Sequence, residues 1–101
     1  MIRLSLDSLI DIAAFVLDVP PTVAALQADL NLLDSAAHAP FAGFGEVEIY
    51  EGLTLKAAVL ASRIMRNHPL PDGNKRLAFY AMWSFVEVNG GEWPEEFDED
   101  E

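Results

Sequence analysis

Residues 54–89 read TLKAAVLASRIMRNHPLPDGNKRLAFYAMWSFVEVN, and their punctuation decides the fold. Thr54 to Asn67 carries apolar residues at helical spacing. Leu55, Val59, Ser62 and Met65 are predicted on one face, flanked by Ala58, Ala61 and Ile64. Pro69 stops that helix near His68, because a proline disfavours helical geometry in the residue before it. Pro71-Asp72-Gly73-Asn74 is turn chemistry. Lys75 to Asn89 then resumes as a helix that is apolar nearly all round, through Leu77, Ala78, Tyr80, Ala81, Met82, Phe85, Val86 and Val88. Such a helix is predicted at the centre of the domain. Asn89-Gly90-Gly91 reads as its C-cap.

Working outward, Leu4 to Val19 repeats the helical spacing, with Ser5 or Asp7 as its cap. Pro20-Pro21 is a break. A second helix is predicted from Thr22 to about Ala39, with Val23, Leu26, Leu30 and Leu33 as its stripe, ended by Pro40. Phe41 to Gly52 differs. Gly43 and Gly45 interrupt it, and Glu46-Val47-Glu48-Ile49-Tyr50 alternates polar with apolar. That period of two predicts a short extended segment or hairpin arm, too short to found a sheet. An exposed strand edge can also take a peptide by strand addition; the plainer reading is an ordered connecting loop. The fold class is therefore all-α: a helical bundle with a short extended flap before the third predicted helix. Residues 1–91 form one domain and residues 92–101 an acidic tail.

Composition narrows the function. The chain has 101 residues, 51% of them apolar, enough for one modest core. It has no cysteine, which excludes disulfides and cysteine-ligated zinc or iron–sulfur sites. No run approaches the roughly 18 apolar residues of a membrane helix, and no signal peptide is legible, so a cytoplasmic location is expected. The net charge of −11 argues against broad nucleic-acid binding. Seven of the 17 acidic residues lie in the last ten positions, while four of the six basic residues lie between Arg63 and Arg76. Cations gathered in so acidic a chain suggest a local anion site.

The loop 66–76, RNHPLPDGNKR, holds the chemistry. A helix that opens at Asp72-Gly73-Asn74 offers unpaired N–H groups and the positive end of a dipole. A glycine there lets an anion approach the backbone. Lys75 and Arg76 at the same end oppose the dipole unless an anion is bound, a local conflict of the kind found at functional sites. Asp72 is a hard oxygen ligand suited to Mg²⁺, and His68 is suited to take a proton at neutral pH. Taken singly, each has a plainer role: Asp72 as a helix N-cap, His68 as structural, Lys75 and Arg76 as solvated. Together they are the parts of phosphoryl or nucleotidyl transfer. Phe79, Tyr80, Trp83 and Phe85 are predicted as core and interface, and His38 as structural.

His68 to Arg76, HPLPDGNKR, closely resembles the signature loop of the Fic/Doc (Fido) superfamily, matching it at eight of nine positions. FGEVEIYEGLTLKAAVLASRIMRN upstream and LAFYAMWSFVEVNG downstream look like the short Doc-type toxins. Leu70 stands where the family usually has phenylalanine, and an acidic tail follows Gly91 where similar proteins continue with further helices. The resemblance implies an all-α protein that holds ATP and Mg²⁺ at this loop and modifies a hydroxyl of a protein. It implies His68 as general base, Asp72 as the Mg²⁺ ligand, Gly73 and Asn74 lining the anion hole, and Arg76 clamping a phosphate. Lys75 stands where AMP-transferring members have glycine and points to γ-phosphoryl transfer, as in Doc-type toxins, while Gly73 follows the AMP-transferring pattern. The flap, Gly45, Glu46, Val47, Glu48, Ile49 and Tyr50, is expected to dock the target, by resemblance elongation factor Tu. The chain has no match to the family's self-inhibitory Ser/Thr-x-x-x-Glu-Gly/Asn helix, which implies a Phd-like antitoxin in trans. The alternatives are AMP transfer and an inactive antitoxin-binding module.

Overall fold

The chain runs through α1 (Leu6–Leu17), α2 (Pro21–Gln27), α3 (Leu30–His38), β1 (Gly43–Phe44), β2 (Val47–Glu48), α4 (Leu53–Asn67) and α5 (Asn74–Val88). A 3-10 turn over Ala39–Phe41 joins α3 to the strands. The computed structural model describes residues 1–44 and 47–91. The expected acidic tail, 92–101, and Gly45 and Glu46 of the flap lie outside the described residues. The all-α class holds, since the strands are two residues each. Among the described residues no single helix is long and apolar enough to cross a membrane.

α1 begins where the sequence places it. Ser5 Oγ accepts from the Ser8 N–H at 3.0 Å, satisfying one of the donors a helix start leaves open. The helix ends at Asp18 in the left-handed conformation and buries Leu9, Ala13, Ala14 and Val16. Pro21 opens α2 at a position where its missing N–H costs nothing.

The single helix expected over Thr22–Ala39 is two helices. Asp29 breaks it: its carboxylate caps α3 through the Leu32 N–H at 3.1 Å, and its own N–H donates to the Pro69 carbonyl at 2.8 Å. An aspartate that finds such partners outside a helix competes with helical continuity. The break also moves the stripe. Ala24 and Leu33 are buried, whereas Leu26 is 85% exposed. The flap therefore precedes the fourth helix, not the third.

α4 buries a different face from the one expected. Leu55 and Met65 are exposed, and the buried residues are Lys56, Ala57, Leu60 and Ile64. Lys56, Leu60 and Ile64 recur every four residues and form the true stripe; a lysine within it hid it from the sequence reading.

α4 and α5 pack along one another, and α1 packs against α5 and α3. Leu77, Ala78, Ala81, Phe85 and Val86 carry α5 into the core. Phe41 meets Phe85 edge-on at 6.1 Å. α5 is not enclosed all round, however. Phe79, Trp83 and Val88 are exposed, because α4 and α1 cover only part of its circumference. Phe85 is thus core as expected, while Phe79 and Trp83 join Phe15 and Tyr80 in a run of ring contacts on the outer side.

The corrected faces separate in denaturation. Leu33→Ala and Leu60→Ala are each expected to lose about 2–5 kcal/mol. Leu26→Ala and Leu55→Ala are expected to change stability by about 0.5 kcal/mol or less. Urea midpoints at constant slope measure both.

Candidate active site

The site is made by the turn between α4 and α5. α4 stops at His68, whose backbone is left-handed at φ 51° and whose N–H donates to the Ile64 carbonyl at 3.1 Å. A non-glycine residue in that region costs roughly 1–2 kcal/mol, so the surroundings must hold it. Pro69 and Leu70 do so by entering the core. Leu70 is 4% exposed, so leucine anchors the loop where the family's phenylalanine would. The Asn67 amide donates to the Leu32 carbonyl at 3.4 Å. With the Asp29–Pro69 bond, this ties the turn to α3.

Asn74 closes the loop. Its Oδ1 accepts the Leu70 N–H and its Nδ2 donates to the Leu70 carbonyl, each at 2.9 Å. This side chain is therefore spent on loop shape, and what Asn74 offers an anion is its main-chain N–H. The same Nδ2 lies 3.4 Å from His68 Nδ1. That is long for a strong hydrogen bond, so it positions the ring more than it fixes its tautomer.

Gly73 is the N-cap of α5, at φ 81° and with no side-chain capping bond. A β-carbon here would lie 2.7 Å from Val16 Cγ1 of α1. The position therefore needs glycine both for its backbone and for the helix behind it. The first turn of α5 carries no acidic residue. Leu77 is the first residue whose N–H bonds back, to the Gly73 carbonyl at 2.9 Å. The N–H groups of Asn74, Lys75 and Arg76 are left as open donors at the positive end of the dipole.

Lys75 and Arg76 are exposed beside them. Among the described residues, the ion pairs are His38–Asp34 and Lys56–Glu48, and neither involves these two cations. Asp72 is exposed and is not the N-cap, so its carboxylate is free of a capping bond. His68, Asp72, Gly73, Asn74, Lys75 and Arg76 thus share one short turn. Arg63 and Arg66 line a groove of about 290 Å³ with Tyr50, Ala58, Val59 and Ser62. His38 ends α3, its Nδ1 2.9 Å from the Asp34 carbonyl oxygen one turn back.

The flap is an antiparallel ribbon, Gly43 opposite Glu48 and Phe44 opposite Val47. The Ile49 N–H extends it by donating to Ala42 at 3.1 Å. The alternation in its sequence does not bury one side, for Val47 is 67% and Ile49 50% exposed. The residue that fastens the flap was missed in the sequence. Lys56 Nζ donates to the carbonyls of Pro40 at 3.0 Å and Tyr50 at 2.5 Å, and pairs with Glu48 at 2.6 Å. The signal was its place four residues before Leu60 in an otherwise apolar stripe. The hydrogen bond and charge of Lys56 hold the Glu48 carboxyl below its ordinary value.

Two outcomes follow for the loop and the flap. Asn74→Ala removes both bonds to Leu70 and is expected to cost about 1–3 kcal/mol, with faster hydrogen exchange at the Leu70 amide. Glu48 has a depressed folded-state pKa, so its stabilising effect is present above the unfolded value of 4.5 and fades as pH falls through the folded one. The stability gap between wild type and Glu48→Gln is accordingly expected to be constant near neutrality and to close in acid, as read from urea midpoints against pH.

The comparisons with known proteins agree with this geometry. The description of the Fic/DOC family matches residues 3–86. Toxin Doc of Mycolicibacterium smegmatis (strain ATCC 700084 / mc(2)155) is 44% identical over 72 residues, which are 71% of this chain and 55% of the relative. The chain thus spans about half the length of that curated relative. No solved structure matches. With the family description covering most of its length and the signature loop folded as a donor-rich turn, the chain belongs to the Fic/DOC family.

Proposed function

We propose that the protein transfers the γ-phosphoryl group of ATP to a hydroxyl of a protein substrate. One observation carries the reading: His68 stands against Asn74, the first residue of α5, at 3.4 Å. A proton acceptor thereby sits at the open N-terminus of a helix that holds two exposed cations without acidic partners among the described residues. That pairing suits attack by a hydroxyl on a phosphate.

The imidazole of His68 takes the hydroxyl proton as the oxygen bonds to the γ-phosphorus. The bond from that phosphorus to the bridging oxygen breaks, and ADP leaves. The open N–H groups of α5 receive phosphate oxygens. Arg76 adds a planar fork and Lys75 a point charge. Asp72 fits Mg²⁺, which takes one or two protein carboxylates and completes its shell with phosphate oxygens and water. The ion would neutralise phosphate charge and orient the transferring group. Lys75 favours the terminal phosphate over AMP transfer. Gly73 does not argue the other way, since its backbone and Val16 already account for it.

The relative named Toxin Doc supports a toxin role. The resemblance extends that role to elongation factor Tu as target, arrested translation as effect, and restraint by a Phd-like antitoxin. The exposed Val47 and Ile49 suit a flap that takes up a target segment.

The test incubates the protein with Mg²⁺, a bacterial extract, and ATP labelled at either the α or the γ phosphate. A protein band labelled only from γ is expected, weakened about 10²–10⁴-fold in His68→Ala. Label from α assigns AMP transfer instead. No label from either leaves a binding module.

A further inference from the structure

We propose that Lys56 is a positioning residue that holds both feet of the flap with one ammonium group, fixing the ribbon for a protein substrate. The inference rests on the reading of the flap as the docking element.

The position is wrong for a lysine by two ordinary rules. Lys56 is 2% exposed, the one charged side chain among the buried described residues, and lysine is almost never buried without partners. It also lies in the first turn of α4, where the helix dipole is positive and a cation is unfavourable. Its three oxygen partners explain why it stays. The Pro40 carbonyl belongs to the turn that enters the flap, Glu48 to β2, and the Tyr50 carbonyl to the exit. An ammonium has three hydrogens and no more, so the group is saturated by the flap alone. The Phe41 ring lies 5.0 Å from Nζ and adds its face to the enclosure. Among the described residues no oxygen from α1, α2, α3 or α5 joins this set.

The consequence is geometric. A two-stranded ribbon is marginal in water by itself. This one is paired on one side only, so β2 presents an edge that has no partner strand among the described residues. An edge accepts an incoming segment well only if its height and register are already set. Lys56 sets them from the rigid helix below.

The experiment compares the whole chain with Lys56→Met and with the milder Glu48→Gln. The first readout is hydrogen exchange at the amides of Val47 and Ile49, which face β1 and Ala42 across the ribbon. Loss of charge-assisted bonds is expected to speed these about tenfold or more in Lys56→Met, and less in Glu48→Gln. The amides inside α4 and α5 are expected to stay as in wild type. Unchanged flap exchange, or a rise shared equally by α4 and α5, overturns the proposal. If Lys56→Met does not fold, Glu48→Gln decides by the same criterion. The second readout is transfer kinetics: the KM for the protein substrate is expected to rise about tenfold, with the KM for ATP and kcat within about twofold. An equal rise in both KM values overturns the positioning role. If wild type labels no protein at all, the transfer reading fails, and the exchange result alone judges the lysine.

Discussion

Leu70 is gripped from both ends of its peptide unit. Its side chain fills the core, and Asn74 takes its N–H and its carbonyl together. Everything else in the site hangs from that grip. A buried leucine without it would leave two backbone groups short of partners in a region water hardly reaches. With it, the chain can reverse in a few residues and send α5 back along α4. The reversal leaves a histidine at the end of one helix beside the open donors of the next. Burial supplies the anchoring, hydrogen bonding supplies the shape, and the chemistry is what remains exposed.

The parts of the molecule legible in the sequence are those governed by short-range rules. Ser5 caps α1 as its side chain predicts, Pro69 ends α4, and Gly73 opens α5. What the sequence hides is governed by contacts between distant segments. Nothing local says that Asp29 will give its N–H to Pro69, forty residues on, and so break a helix that the periodicity favours. The face of α4 is hidden for a similar reason. Alanines make several stripes nearly equal in hydrophobicity, and the correct one contains a charge whose partners arrive only with the flap.

The charges show an uneven economy. A chain of net charge −11 keeps six cations. Lys56 is enclosed and saturated by oxygens. Lys75 and Arg76 stay exposed, with no acidic partner among the described residues. The enclosed cation works inward on architecture. The exposed ones stand where an incoming anion would meet them, at a helix end that already favours negative charge.

The contact between Gly73 and Val16 has a consequence for how such a chain can vary. Position 73 is closed to larger residues by two independent barriers, the left-handed backbone and the valine methyl behind it. Position 16 answers to only one of them. A smaller residue there opens the space but leaves the backbone barrier in place. Substitution at the two positions is therefore unequal: Val16 can lose a methyl while Gly73 stays, whereas a side chain at position 73 meets the backbone barrier even then.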